Sequence, residues 1–392
     1  MGTLAERVGA LRPTAVNSIL AEVRDAVATG ASVVSLMRGE PDLPTPPHIV
    51  EAARKALADG RTSYPDNRGE LALREAVAAR MARDHGLTVD PGAEVLVTSG
   101  ATLGLHSALL ALVGPGDDVL VPDPIYDAYH SVVALAGAGV RPVLSTITGD
   151  RFRLTVSALE AARSPAAKVL LVNTPWNPVG TVLRREELEV IADFVLRHDL
   201  TLVSDEIYEA IVYDGATHLS PAALSPELRA RTVVVNSLSK TYAMTGWRVG
   251  YTVAPPDLTR AMLLVLQQAS RGPATFVQDA AVAALAGPQD AVAAMRDEYA
   301  ARRARVLEAL AGIPGTRVLP PEGGFFAMVD ARYVGHGADE IRRRLLRDHG
   351  VVVVHGSAYG AEGEGTLRVS FASGGDTLTE GLVRLRRGLS SL

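Results

Sequence analysis

The sequence predicts an α/β fold: a large domain with a mainly parallel seven-stranded sheet between helices, plus a smaller α+β domain. Three observations lead there. Seven short runs rich in Val, Leu and Ile lie between residues 95 and 254, apolar on successive positions, as strands buried on both faces require. Helical stretches separate most of them, the alternation of a doubly wound sheet. After Gly272-Pro273 the pattern changes to long helices and a few late strands.

In chain order, an apolar-periodic stretch from Val16 to Val27 precedes a strand-like run from Ser32 to Leu36. Residues 48–59 and 69–85 then carry helical spacing with mixed charge. The strand candidates are 95–99, 119–122, 140–147, 168–173, 200–204, 232–236 and 248–254, with helices at 102–113, 126–136 and 185–198 between them. The last two strands are joined by too little chain for a helical crossover, which points to an antiparallel partner. Residues 277–310 read as helix with a break at Gly287-Pro288. A strand at 325–329, a helix at 338–348, strands at 351–355 and 366–371 and a helix at 378–389 complete the chain. The expected units are an N-terminal arm (1–45) packing with the small domain, a large domain (46–276) and a small C-terminal α+β domain (277–392).

A chain of 392 residues can bury two sizeable cores. Its net charge of −5 gives no footprint for nucleic acid or an anionic membrane. No apolar run approaches the roughly 18–20 residues that span a bilayer. Met1 to Arg7 lack the basic-then-apolar pattern of a secretory signal, so a cytoplasmic protein is expected. The absence of cysteine excludes disulfides, thiolate catalysis and iron–sulfur chemistry. No metal is expected, and no G-x-G-x-x-G follows the first strand, which disfavours a nicotinamide site.

Ligands in an open α/β sheet sit beyond the carboxyl ends of the strands. Those ends are polar here: Ser99-Gly100-Ala101-Thr102, Asp123 to Tyr126, Asn173 to Gly180, Asp205 to Tyr208 and Ser237 to Lys240. One offers a carboxylate and a phenol, another two hydroxyls and a lysine, a set suited to an aromatic, phosphorylated ligand.

The segment Ser237-Leu238-Ser239-Lys240-Thr241-Tyr242-Ala243-Met244-Thr245-Gly246-Trp247-Arg248-Val249-Gly250 resembles the lysine signature of class I/II aminotransferases that use pyridoxal 5′-phosphate (PLP), the aspartate aminotransferase-like group of fold type I. Further matches span nearly the whole chain: Gly39-Glu40-Pro41-Asp42, Tyr64, Ser99 to Thr102, Pro124-Ile125-Tyr126, Asn173 to Gly180, Asp205-Glu206-Ile207-Tyr208 and Leu367 to Phe371.

The resemblance implies a role for each position, and chemistry supplies the reason. Lys240 condenses with the PLP aldehyde. Asp205, with Glu206 ranked second, keeps the pyridine nitrogen protonated. Tyr208 and Asn177 reach the ring oxygen. Gly100, Ala101 and Thr102 open a helix and so form an anion site for the phosphate. Ser237, Ser239 and Arg248 complete that cup, Arg248 as a two-pronged donor. Tyr64 reaches the phosphate of a neighbouring subunit, which implies a homodimer with shared active sites. Tyr126 stacks on the ring. Arg368 binds the substrate α-carboxylate bidentately, helped by Gly39 and Asn177.

The expected activity is transfer of an amino group between an L-α-amino acid and a 2-oxo acid, through a Lys240 aldimine and a quinonoid. A PLP-dependent oxidase, cyclase or lyase acting on an amino acid is the alternative, since the same residues serve it. A non-catalytic PLP sensor with a DNA-binding module is disfavoured, because the motifs begin by Gly39. Arg38 and Arg68 are extra cations near the site, read as surface ion pairs before distal-carboxylate ligands. The Thr102 region lacks the lysine found in some aspartate-using relatives, which argues against a strict aspartate preference. Trp176 inside the Asn-Pro motif has no assigned role.

Overall fold

The computed structural model describes residues 6–9 and 11–392. The reading of the first five residues as lacking a signal lies outside that range. Seven strands form the main sheet: β1 (Val95–Thr98), β2 (Asp118–Asp123), β3 (Gly139–Leu144), β4 (Ala167–Asn173), β5 (Thr201–Asp205), β6 (Thr232–Ser237) and β7 (Gly250–Val253), in the order β1-β7-β6-β5-β4-β2-β3. β7 runs antiparallel to both of its neighbours, and the remaining pairings are parallel. The short connection from β6 to β7 demanded this.

Both faces of the sheet are covered, which explains the uninterrupted apolar runs. Val233 and Val235 point into a core with Leu105, Ala108 and Ile191, while Val234 points into another with Ile49, Val77 and Ala280. A second, four-stranded antiparallel sheet is made of β8 (Arg317–Leu319), β9 (Phe326–Asp330), β10 (Val354–His355) and β11 (Thr366–Ser370), in the order β8-β9-β11-β10. Helices Asp290–Leu310, Ala338–His349 and Gly375–Ser390 accompany it.

Some expectations shift. The run read as one strand over 140–147 breaks at Ser145, whose amide and hydroxyl both turn to the Asp123 carbonyl; Thr146–Thr148 then pairs with Arg151–Arg153 as a hairpin. Helix Pro256–Ala269 was not expected. Its Pro255-Pro256 start reads as loop, yet proline suits a first helical turn. Val34–Ser35 pairs in parallel with Val351–Val352, and Leu36 shares the small-domain core. Helix Thr275–Ala286 packs on helices Pro47–Ala58 and Leu71–His85. We therefore propose that the large domain runs to about Ala286 rather than 276, with residues up to 45 attached to the small one.

Candidate active site

The carboxyl ends of the central strands open into a cavity of about 1020 Å³, bounded on the far side by the arm and the small domain. Gly39, Ala101, Thr102, Tyr126, Asn177, Asp205, Tyr208, Ser239, Lys240, Arg248 and Arg368 all line it. The residues come from chain segments more than 300 positions apart, so the fold has assembled most of the set predicted from the sequence.

Lys240 lies in the short helix Leu238–Thr241, which the β6 strand feeds directly and Ser237 caps. Its Nζ donates to the Gly39 carbonyl and lies 5.7 Å from the centroid of the Phe325 ring. The cavity walls desolvate the ammonium and bring its pKa down to about 8, with Glu40 pulling upward and Arg248 adding to the fall.

Asp205 ends β5. Burial raises its pKa to about 6, against the opposing effect of the Tyr129 hydroxyl, which donates to Oδ2 at 2.6 Å. The Ile207 amide donates to Oδ1 at 3.1 Å. Tyr129, which sequence reasoning missed, sits one helical turn beyond Tyr126. The two rings meet edge to face with centroids 5.5 Å apart. The signal was a hydroxyl at the same-face spacing i, i+3 from an aromatic at a strand end.

Tyr208 packs edge to face on Phe325 and Phe326, and burial raises its pKa well above the ordinary phenol value. Glu206, although next to Asp205, takes no part in the cavity wall.

At one end of the cavity Gly100 carries φ +85° ahead of helix Ala101–Leu112, and Arg248 lies against it. A Cβ on Gly100 would come within 2.4 Å of an Arg248 Nη, so only glycine lets the guanidinium lie against the helix N-terminus. Ser237 is buried behind this turn, its hydroxyl donating to the Val249 carbonyl at 2.9 Å and its Oγ lying 2.8 Å from the Ser239 hydroxyl, which can donate to it. The Gly100 amide is taken by the Thr98 carbonyl, but the amides that open the helix, a guanidinium and hydroxyls suit a phosphate dianion, and the Asp205 carboxylate suits a protonated ring nitrogen. The donor set therefore fits PLP.

At the other end Arg368, on β11, is buried between the rings of Phe326 (4.1 Å to the centroid) and Tyr359 (5.0 Å). Its Nη1 donates to Asn177 Oδ1 and its Nη2 to the Met37 carbonyl, both at 3.3 Å, while the buried Nε has no partner among the described residues. A buried guanidinium with long bonds and a spare donor is matched to an incoming carboxylate. Asn177 is held by its own amide, which donates to Asn173 Oδ1 at 2.7 Å.

Tyr64 is not brought to this cavity. It is 86% exposed and faces Arg271. Arg38 is engaged by the Glu40 carboxylate and the Pro41 carbonyl, and Arg68 donates to the Gly92 carbonyl. Trp176 is a core residue whose indole donates to the Pro124 carbonyl at 2.8 Å, fixing the turn that carries Tyr126.

The sequence pattern of the family described as aminotransferase class I and II matches residues 31–385. An aspartate aminotransferase of Geobacillus stearothermophilus is 38% identical over 389 residues, 98% of each chain. An arginine–pyruvate transaminase of Pseudomonas aeruginosa is 40% identical over 359 residues, covering 92% of this chain and 90% of its own. The solved structure of Thermus thermophilus aspartate aminotransferase with maleate superimposes with a TM-score of 0.92 at 36% identity, over 99% of this chain and 100% of that one.

Proposed function

The chain belongs to the class I and II aminotransferases and is a PLP-dependent transferase of amino groups between α-amino acids and 2-oxo acids; from that premise we propose how its own residues divide the work. The observation that carries the assignment is the half-desolvated Lys240 amine in one cavity with the Asp205 carboxylate, the Arg248 cup and the buried Arg368.

When bound, PLP supplies the aldehyde that takes up the amino group and the ring that accepts the electron pair left at the α-carbon. Gly100, Ala101, Thr102, Ser237, Ser239 and Arg248 would hold its phosphate. Asp205, oriented by Tyr129 and the Ile207 amide, keeps the ring nitrogen protonated. Tyr126 would stack on the ring, and Tyr208 and Asn177 would serve the ring oxygen. Arg368 clamps the substrate α-carboxylate beside Gly39 and Asn177, which fixes the Cα–H bond relative to Lys240. Burial brings the Lys240 pKa down to about 8, so far more of the amine is unprotonated near neutral pH than for an ordinary lysine, and it would serve as the general base for the Cα proton. Tyr64 serves the phosphate cup of a second copy in a homodimer, and the protein works in the cytoplasm. No described helix is long and apolar enough to cross a membrane.

The substrate side chain is, in this reading, neutral or cationic. Arg38 is already paired with Glu40 and Glu380 with Arg384, and the cavity wall outside the catalytic set still carries Asp127 and Asp376. A second substrate carboxylate would face these two acids, with no unpaired cation to meet it among the described residues of that wall.

Borohydride reduction of the loaded protein, followed by peptide mapping, tests the anchor: the label belongs on Lys240 alone, and a label on another lysine overturns the assignment. A donor panel tests the side-chain reading, which fails if aspartate or glutamate outperforms every neutral and basic amino acid.

A further inference from the structure

Directly behind the catalytic carboxylate lies a second cluster of buried charge that the reaction itself does not use. Side chains alternate across a strand, so Ser204 and Glu206 point away from the cavity that Asp205 faces. The pairing continues past the strand end, with the Glu206 amide donating to the Val235 carbonyl at 2.9 Å. The Glu206 side chain is wholly buried. Its Oε1 accepts the hydroxyls of Ser204 and Ser220, each at 2.9 Å, and its Oε2 lies 3.0 Å from His218 Nε2.

Helix Leu71–His85 closes the cluster from the other side. Arg80 pairs with Glu209, and His85 Nε2 lies 2.9 Å from the other Glu209 oxygen. The His85 and His218 rings meet edge to face at 5.7 Å. Asp84 touches Arg80 at 3.3 Å, and Tyr242 and Tyr251 complete the surroundings. Burial works against a charge on His85, but the bond and charge of Glu209, with Glu206 beyond, raise its pKa overall.

The ligating atoms of His85, Glu206, Glu209 and His218 lie within 4.8 Å of one another, close enough for a metal set. The partners speak against that use. Arg80 already occupies Glu209, and two hydroxyls and the His218 ring already crowd Glu206. Arg80 and His85 hold the Glu209 carboxyl well below the usual carboxylate range in a dry place, with the hydrogen-bonded Glu206 carboxyl beside it.

We propose that Glu206 is a positioning residue for charge: its carboxyl group, ringed by Ser204, Ser220 and His218 behind the sheet, adds to the negative potential that Asp205 presents to the ring nitrogen, and His85 trims that potential from the far side. The inference rests on the reading of Asp205 as the partner of the cofactor ring. Glu206 itself acts through Asp205 and touches neither cofactor nor substrate.

The test uses the resting holoenzyme and a pH titration of the visible absorbance of the bound cofactor, which reports the proton on its link to Lys240 without any turnover. Removing an anion disfavours the protonated, cationic form, so Glu206→Gln should lower the midpoint by about half to one pH unit, a three- to tenfold loss of proton affinity. Removing the opposing cation in His85→Gln should raise the midpoint. An unchanged midpoint in Glu206→Gln, or shifts of one sign in both variants, overturns the proposal, as does a stoichiometric metal in the purified protein. If Glu206→Gln does not fold, His85→Gln decides alone: a rise supports the proposal and no change sinks it. Absence of any titrating band in the parent protein would instead count against the cofactor site and leave the failure identifiable.

Discussion

At the deep end of the cavity, Asp205, Lys240 and the Gly100–Thr102 turn hang on buried strands of one sheet. At the outer end, Gly39, Asn177 and Arg368 come from an arm, a loop and a small-domain strand. The first set is placed by sheet register, which the paired neighbours of β5 and β6 fix. The second is placed by long-range ties. Asp123 at the end of β2 accepts the amides of Ala361 and Glu362, both at 3.0 Å, and Arg302 joins Asp42 to the Ala372 carbonyl. The cofactor chemistry thus sits on the rigid end, and the grip on the substrate α-carboxylate on the assembled end.

Substitutions can separate the two ends. Lys240→Ala removes both the anchor and the base, and turnover should fall by a factor on the order of 10⁵–10⁶, the scale seen when one member of a concerted catalytic unit is lost. The visible band of the linked cofactor should vanish with it. Residual turnover within a hundredfold of the parent would mean that another lysine serves.

Arg368→Lys tests the outer end. It keeps the charge and loses the two-pronged geometry, so kcat/KM should drop by about 10²–10³, mostly through KM, the equivalent of about 3–4 kcal/mol of binding. Cofactor affinity and absorbance should stay as they were. A matching loss of cofactor would show that the ends are not independent.

The deep end was also the more legible one. Lys240, Asp205 and Arg248 occupy short contiguous motifs at predictable strand ends, where local pattern and position agree. Asn177 and Arg368 were placed by motif, but the contact between them spans 191 positions and no periodicity encodes it. Tyr129 escaped because it lies inside a helix rather than at a strand end. Arg38 could not be judged from sequence at all, since its availability depends on the Glu40 side chain two residues away. The helix at Pro256–Ala269 was lost to its leading prolines, a case where a breaker and a first-turn residue look alike.

The deep end carries its cost in the protein without cofactor. Asp205 binds its proton more tightly folded, with a pKa of about 6, than unfolded, near 3.9. Its stabilising contribution is therefore present below the unfolded value and is lost as pH rises through about 6. At pH 7 that loss is about 2–3 kcal/mol. Asp205→Asn should make the cofactor-free protein more stable than the parent by about that order at pH 7, with the difference vanishing toward pH 4. Chemical denaturation at the two pH values measures it. An equal difference at both would remove the titration from the explanation.

The smallest expected effect singles out the residue that links the stacking ring to the carboxylate. Tyr129→Phe keeps the edge-to-face packing on Tyr126 and removes only the hydroxyl that donates to Asp205 at 2.6 Å. That donor favours the ionised carboxylate, so without it the Asp205 pKa climbs further above its usual range. One lost bond to a charged group amounts to about 1.5–3 kcal/mol before solvent or neighbours compensate. After compensation kcat should fall about three- to tenfold, with the larger loss on the acid side, where the carboxylate is first protonated. The acid limb of the kcat profile should move to higher pH while KM for the amino acid holds steady. A uniform loss across the pH range would reduce Tyr129 to packing, and a change confined to KM would move it from the deep end of the site to the outer one.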